Sequence, residues 1–138
     1  MFHSSIPKLL APLIAFTVVP AFVYADEKAE KESEKIFRDK VVAILELNCI
    51  KCHNAKTVKG KLALDTFEAA MKGGDSGEVI VPGESGQSLL VEQISGDKPA
   101  MPAKADPLTV EQVKTIRQWI DTGAIWPEGI KLQDRSKK

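Results

Sequence analysis

The apolar positions of the chain fall into two helical stripes separated by a long, broken middle. Between Ser33 and Asn48, Phe37, Val41, Ile44 and Leu45 recur at intervals of three and four, with Leu47 close to the same side. That period predicts an amphipathic helix that delivers its C-terminal end to Cys49 and lays its apolar face on another helix. Near the other end of the chain, Val110, Val113, Ile116 and Ile120 make a second stripe with Trp119 at its edge. Thr109 is placed to cap that helix, Gln112 stands at the capping-box position, and Gly123 ends it.

The middle is punctuated rather than periodic. Lys56 to Leu64 reads as an irregular crossing broken at Gly60. Asp65 is expected to cap a short helix that runs to Lys72 and stops at Gly73-Gly74, and Ser85 or Ser88 to cap another through Ile94, closed by Gly96. Pro82-Gly83 marks a turn, and the preceding Val79-Ile80-Val81 is too short for a sheet. Asp97 to Leu108 contains Pro99, Pro102 and Pro107, which excludes a regular helix there. The expected fold is mainly helical, with neither an internal repeat nor a second domain.

The ends carry different signals. Residues 1–25 hold one charged side chain, Lys8, then an apolar run from Leu9 to Val23, then Val23-Tyr24-Ala25 ahead of Asp26. That order predicts a secretory signal peptide. An uncleaved membrane anchor fits less well, because Pro12 and Pro20 interrupt a run that is already short. Asp26 to Lys35 alternates Glu and Lys with no apolar stripe, the pattern of a solvated lead-in. The resulting division is a signal peptide at 1–25, a charged lead-in at 26–35, one domain at 36–130 and a polar tail at 131–138.

Charge and composition narrow the classes further. The chain has 19 basic and 19 acidic residues, so loss of Lys8 leaves one more acid than base. Nothing in that balance suggests nucleic acid or an acidic membrane surface, and the mixed signs reveal no docking face. After cleavage the aromatics are Phe37, Phe67, Trp119 and Trp126, a thin supply for a core of this size. A large apolar cofactor would make up the difference.

The residues that point to such a cofactor are Cys49-Ile50-Lys51-Cys52-His53. C-x-x-C-H is the attachment signature of a c-type haem. Two thiols on one helical turn add across the vinyl groups of one porphyrin, and the adjacent imidazole is carried to the iron. The chain has two cysteines and two histidines, and the other histidine, His3, lies in the expected leader. A zinc site lacks its second ligand pair, and a thioredoxin-like C-x-x-C normally follows a strand. A local Cys49–Cys52 disulfide with His53 merely exposed is the plain alternative. For the sixth iron position no second histidine remains after cleavage. Met101, between Pro99 and Pro102 in a stiffened loop, is the expected ligand, against Met71, Lys98, Lys104 or a five-coordinate iron.

The ordered set Cys49 to His53, Gly60, Leu62, Leu64-Asp65, Gly73-Gly74, Val81-Pro82-Gly83, Ser88-Leu89-Leu90, Met101-Pro102, Leu108-Thr109 and Trp119-Ile120-Asp121 before Gly123-Ala124 resembles the planctomycete-type cytochrome c domain, a relative of class I cytochromes c. The likeness covers about residues 33–127. It implies an all-α, class I cytochrome c-like domain around one covalent haem, with first and last helices crossing. It also implies haem held by Cys49 and Cys52 and iron bound by His53 and Met101. One departure is Ala103, where this family often has a second proline after the Met-Pro pair.

The function expected from these residues is single-electron transfer by an exported, periplasmic mono-haem cytochrome. Its partners would be a redox donor and a redox acceptor, with a membrane met only transiently or through redox complexes. No catalytic constellation accompanies the motif, so an enzyme is not expected. A five-coordinate ligand sensor or peroxidase-like protein is the competing reading.

Overall fold

The computed structural model describes residues 21–136. Most of the expected leader, including Lys8 and the start of the apolar run, lies outside the described residues. The helices are α1 (Ala21–Ile36), α2 (Val42–Asn48), α3 (Phe67–Lys72), α4 (Leu89–Ile94) and α5 (Val110–Asp121). A five-residue π turn, Phe37–Val41, joins α1 to α2, and Lys59–Lys61 forms a short 3-10 turn. Among the described residues there are no strands, and one isolated bridge pairs Gly74 with Gly77. The all-α fold class read from the sequence therefore holds. No helix among the described residues is long and apolar enough to cross a membrane.

The helix expected from Ser33 to Asn48 is present, and it starts earlier. The charge run Asp26 to Lys35 is part of α1 and not a loose lead-in, because it carries its own local support. Lys31 reaches Glu27 at 2.6 Å, Arg38 reaches Glu34 at 2.9 Å, and Lys35 pairs with Asp39, all one turn apart. More decisive is Ser33, which has no exposed surface. Its hydroxyl donates to the Trp119 carbonyl (3.1 Å) and accepts from the Ile125 N–H (2.9 Å). A buried serine with both partners met costs little and binds α1 to the end of α5.

The two stripes meet as expected. α1 and the π turn pack on α5, and α4 packs on α5 beside them. Phe37, Val41, Ile44 and Leu45 are all buried, as are Ile116, Trp119 and Ile120. Three aromatics pile on one another: Phe37 lies 5.3 Å from Trp119 and 4.5 Å from Trp126 between ring centroids, and the two indoles lie 6.4 Å apart. Both indole N–H groups are satisfied, Trp119 by the Ile125 carbonyl and Trp126 by that of Ile130, each at 2.9 Å. Leu47 and Val110 leave their stripes and are exposed. Leu47 lies in the last turn of α2 and Val110 at the first position of α5.

Other expectations shift by a residue or a role. α5 has the full capping box, with Thr109 Oγ1 accepting from Gln112 N–H and Gln112 Oε1 accepting from Thr109 N–H. α3 is capped by Thr66, whose hydroxyl accepts from Ala69 N–H at 3.3 Å, and not by Asp65. Asp65 is instead buried. Ser88 stands at the N-cap of α4, but its hydroxyl turns to the Pro82-Gly83 turn, accepting from Val81 N–H and donating to the Glu84 carbonyl. That turn is fastened to α5, since Gly83 N–H donates to the Ile120 carbonyl and Ser85 N–H to Asp121 Oδ1.

The polar tail at 131–138 is docked over its described part, 131–136. Leu132 is buried, and its N–H donates to the Asp65 carbonyl at 2.8 Å. Gln133 N–H donates to Glu46 Oε1 at 3.0 Å, and the Arg135 guanidinium lies 2.8 Å from Glu46 Oε2. Glu46 and Asp65 are thus buried carboxylates facing the same returning segment, with Lys131 4.0 Å from Asp65.

Candidate haem-attachment site

Where α2 ends, the chain makes one more tight turn, and the cysteines lie on it. Cys49 N–H still donates to the Leu45 carbonyl at 2.8 Å, so the first cysteine is fixed by the helix that precedes it. Cys52 and His53 N–H groups both reach back to the Cys49 carbonyl, at 3.1 and 3.0 Å. Cys49, Cys52 and His53 are therefore brought onto a single turn. Ile50 is buried and pins the turn to the core, while Lys51 is exposed. Asn54 closes the turn: its amide donates to the Ile50 carbonyl, and its Oδ1 accepts from Lys56 and Thr57 N–H.

His53 is oriented by the backbone. Its Nδ1 lies 3.1 Å from the Lys59 carbonyl. A neutral ring that donates from Nδ1 to a carbonyl carries its lone pair at Nε2, the arrangement that a metal-binding imidazole needs. The acceptor is itself held. Lys59 N–H donates to the Cys52 carbonyl at 3.2 Å, Leu64 N–H to the His53 carbonyl at 2.9 Å, and Asp75 N–H to the Gly60 carbonyl at 2.8 Å. Behind Gly60 stands Gly74, where an added Cβ would come within 2.5 Å of the Gly60 oxygen. Glycine there is what lets the 73–77 turn back the loop that aims His53.

Both cysteines are free thiols, and Cys49 packs against the core. Burial, and then the neighbouring Cys52, push the Cys49 thiol up to about 12. That is the reverse of a redox C-x-x-C, where one thiol is activated by a lowered value. Nor do the described residues gather three or more His, Cys, Asp or Glu side chains able to hold a metal ion, as a structural zinc would need. Two thiols and one imidazole on a turn do fit the donor set of a covalent haem, with Cys49 and Cys52 as attachment points and His53 Nε2 as the iron ligand.

Met101 comes from a separate loop. Its N–H donates to the Gln93 carbonyl of α4 at 2.9 Å, and the peptide bond to Pro102 is cis. Its side chain is half-buried against the same apolar core that Cys49 touches, as is that of Met71. Lys98 and Lys104 are exposed. Sequence reasoning missed the Lys59 carbonyl, the role of Asn54 and the backing at Gly74. The first and last lay behind Gly60 and Gly73-Gly74, read from the sequence only as a break and a helix stop.

With an all-α domain and a haem-type donor set in place, comparison with known families adds a likeness over part of the chain. A family model described as planctomycete cytochrome C matches residues 49–104, from the first cysteine through the Met101 loop. The resemblance read from the sequence holds over that stretch, which is shorter than the 33–127 first traced. This part of the chain is similar to a cytochrome c, which implies binding of haem c. No curated protein and no solved structure matches the chain.

Proposed function

We propose that the chain is an exported mono-haem c-type cytochrome that carries single electrons between redox proteins and catalyses no reaction of its own. Bound haem would supply a one-electron iron couple; the chain supplies position. Cys49 and Cys52 would hold the porphyrin through thioethers, and His53 Nε2 and Met101 would bind its iron. The observation that carries this reading is the His53 Nδ1 to Lys59 carbonyl bond, which leaves Nε2 of the imidazole in the C-x-x-C-H turn available to a metal. Support for Met101 is its half-buried place on the shared core and the anchoring of its loop to α4. A thioether there favours ferrous iron and raises the potential.

The purified periplasmic protein should show a low-spin c-type spectrum in both oxidation states and a reversible couple. Met101→Ala should keep the covalent haem and lower the potential. Fast carbon monoxide binding by the reduced native protein would instead point to an open sixth position and to the sensor or peroxidase-like reading.

A further inference from the structure

Two buried carboxylates stand at the two ends of the loop that carries the cysteines. Glu46 lies in the last turn of α2, just before Cys49, and Asp65 follows Leu64, whose N–H donates to the His53 carbonyl at 2.9 Å. Glu46 is 3% exposed and Asp65 5%. One short segment meets both. Leu132 N–H donates to the Asp65 carbonyl at 2.8 Å, and the next amide, that of Gln133, donates to Glu46 Oε1 at 3.0 Å. A single residue of this strap therefore bridges one end of the loop to the other. Arg135 adds a second clasp, its N–H donating to the Glu46 carbonyl at 3.2 Å and its Nε standing 2.8 Å from Glu46 Oε2. Lys131 Nζ lies 4.0 Å from Asp65 Oδ2, and Leu132 is buried between these contacts.

We infer that Glu46 and Asp65 are positioning residues for the haem iron: through the strap 131–135 they tie the two ends of the loop 47–64 together and so keep the His53 ring on its Lys59 acceptor. This rests on the haem-binding role proposed above. A carboxylate taken out of water is stable only while cations and N–H groups face it. Asp65 Oδ1 has no hydrogen-bond partner among the described residues, and Arg135 meets Glu46 Oε2 by charge and not by an aligned hydrogen bond, so both carboxylates depend on the cations of the strap. With the strap away, each carboxylate gains by turning to water, which draws the α2 end and the Leu64-Asp65 end apart. His53 feels that movement directly, because its carbonyl is bonded to Leu64 N–H and its ring to the Lys59 carbonyl of the same loop. Apolar side chains at 46 and 65 would fasten the strap without fixing its register, whereas a carboxylate facing one particular N–H fixes both.

The test uses the full holoprotein in the ferrous state, with three readouts: the NMR resonance of His53 Nδ1–H, the iron potential, and amide exchange at Leu132 and Gln133. The double variant Glu46→Gln/Asp65→Asn keeps both shapes and removes both charges. Its amides at 132 and 133 should exchange faster by about tenfold or more. The Nδ1–H resonance should move upfield as the bond to Lys59 lengthens, and the potential should shift with it. Trp119→Ala, in the aromatic stack, should lower stability while leaving that resonance and the potential at their native values. If the double variant fails to accumulate, Lys131→Ala/Arg135→Ala, which alters only exposed cations, should give smaller shifts of the same sign. A native Nδ1–H resonance and potential in a variant whose 132 and 133 amides exchange freely overturn the positioning role, and leave the strap a fastening for stability alone. An equal shift in Trp119→Ala overturns it too. A native protein that carries no haem mass under denaturing conditions overturns the haem-binding role itself, and the positioning role with it.

Discussion

The run from α1 through the π turn to α2 makes one helical rod, and its packing against α5 and the cysteine turn at its end are held by different forces. On the side of α1 and α5, Phe37, Trp119 and Trp126 pack ring on ring, and Ser33, Phe37 and Ile120 keep no surface at all. On the side of the cysteines, residues 49–61 bury one side chain, Ile50, and are held by a chain of backbone hydrogen bonds from Leu45 to Lys61. Apolar area stabilises in proportion to its amount and is indifferent to small displacements. Hydrogen bonds add little net stability but fix direction. The helical side keeps the chain folded, and the turn side keeps an imidazole aimed.

That contrast can be broken from either end. The largest effect is expected for the double variant Cys49→Ala/Cys52→Ala, which should lose covalent haem completely, read as loss of one haem mass under denaturing conditions. Amide exchange should then quicken first across 49–61 while α1 and α5 stay protected. Simultaneous loss of both would show one cooperative unit instead. Trp119→Ala should cost about 3–5 kcal/mol in denaturant unfolding while leaving the haem attached and its spectrum unchanged. The smallest and sharpest change is Gly74→Ala. Its new Cβ must displace the Gly60 carbonyl or be displaced, for about 1–3 kcal/mol, and should shift the iron potential by loosening the Lys59 acceptor. A Gly74→Ala protein with normal potential would detach that turn from the aim of His53.

How much of this was legible follows from the same division. Periodicity located both stripes, and Thr109 with Gln112 located the start of α5 to the residue, because capping is local chemistry. The C-x-x-C-H turn was equally plain. Charge misled at both ends. The run Asp26 to Lys35 looks solvated since all but one turn of it is; only the buried Ser33 betrays its packing, and a serine gives no hydrophobic signal. Glu46 was read past, and Asp65 was read as a helix cap, for the converse reason, that carboxylates are seldom buried. Their partners lie more than sixty residues away at 131–135, and no local rule pairs residues at that distance.

The π turn at Phe37–Val41 has a consequence for how the rod tolerates change. Val42 N–H bonds to the Phe37 carbonyl, five residues back, so this one loop of backbone holds more residues than an α turn does. Removing a residue from Arg38 to Lys40 would let an ordinary turn form with every side chain on the cysteine side unchanged. Because the same N–H and carbonyl would still meet one turn apart, everything before the deletion would keep nearly the same facing as everything after it, and Ser33 would stay on the Trp119 carbonyl. Length at this spot is therefore the forgiving variable: one residue can be left out without turning α1 away from α5, whereas exchanging Arg38 or Asp39 removes a pair with Glu34 or Lys35.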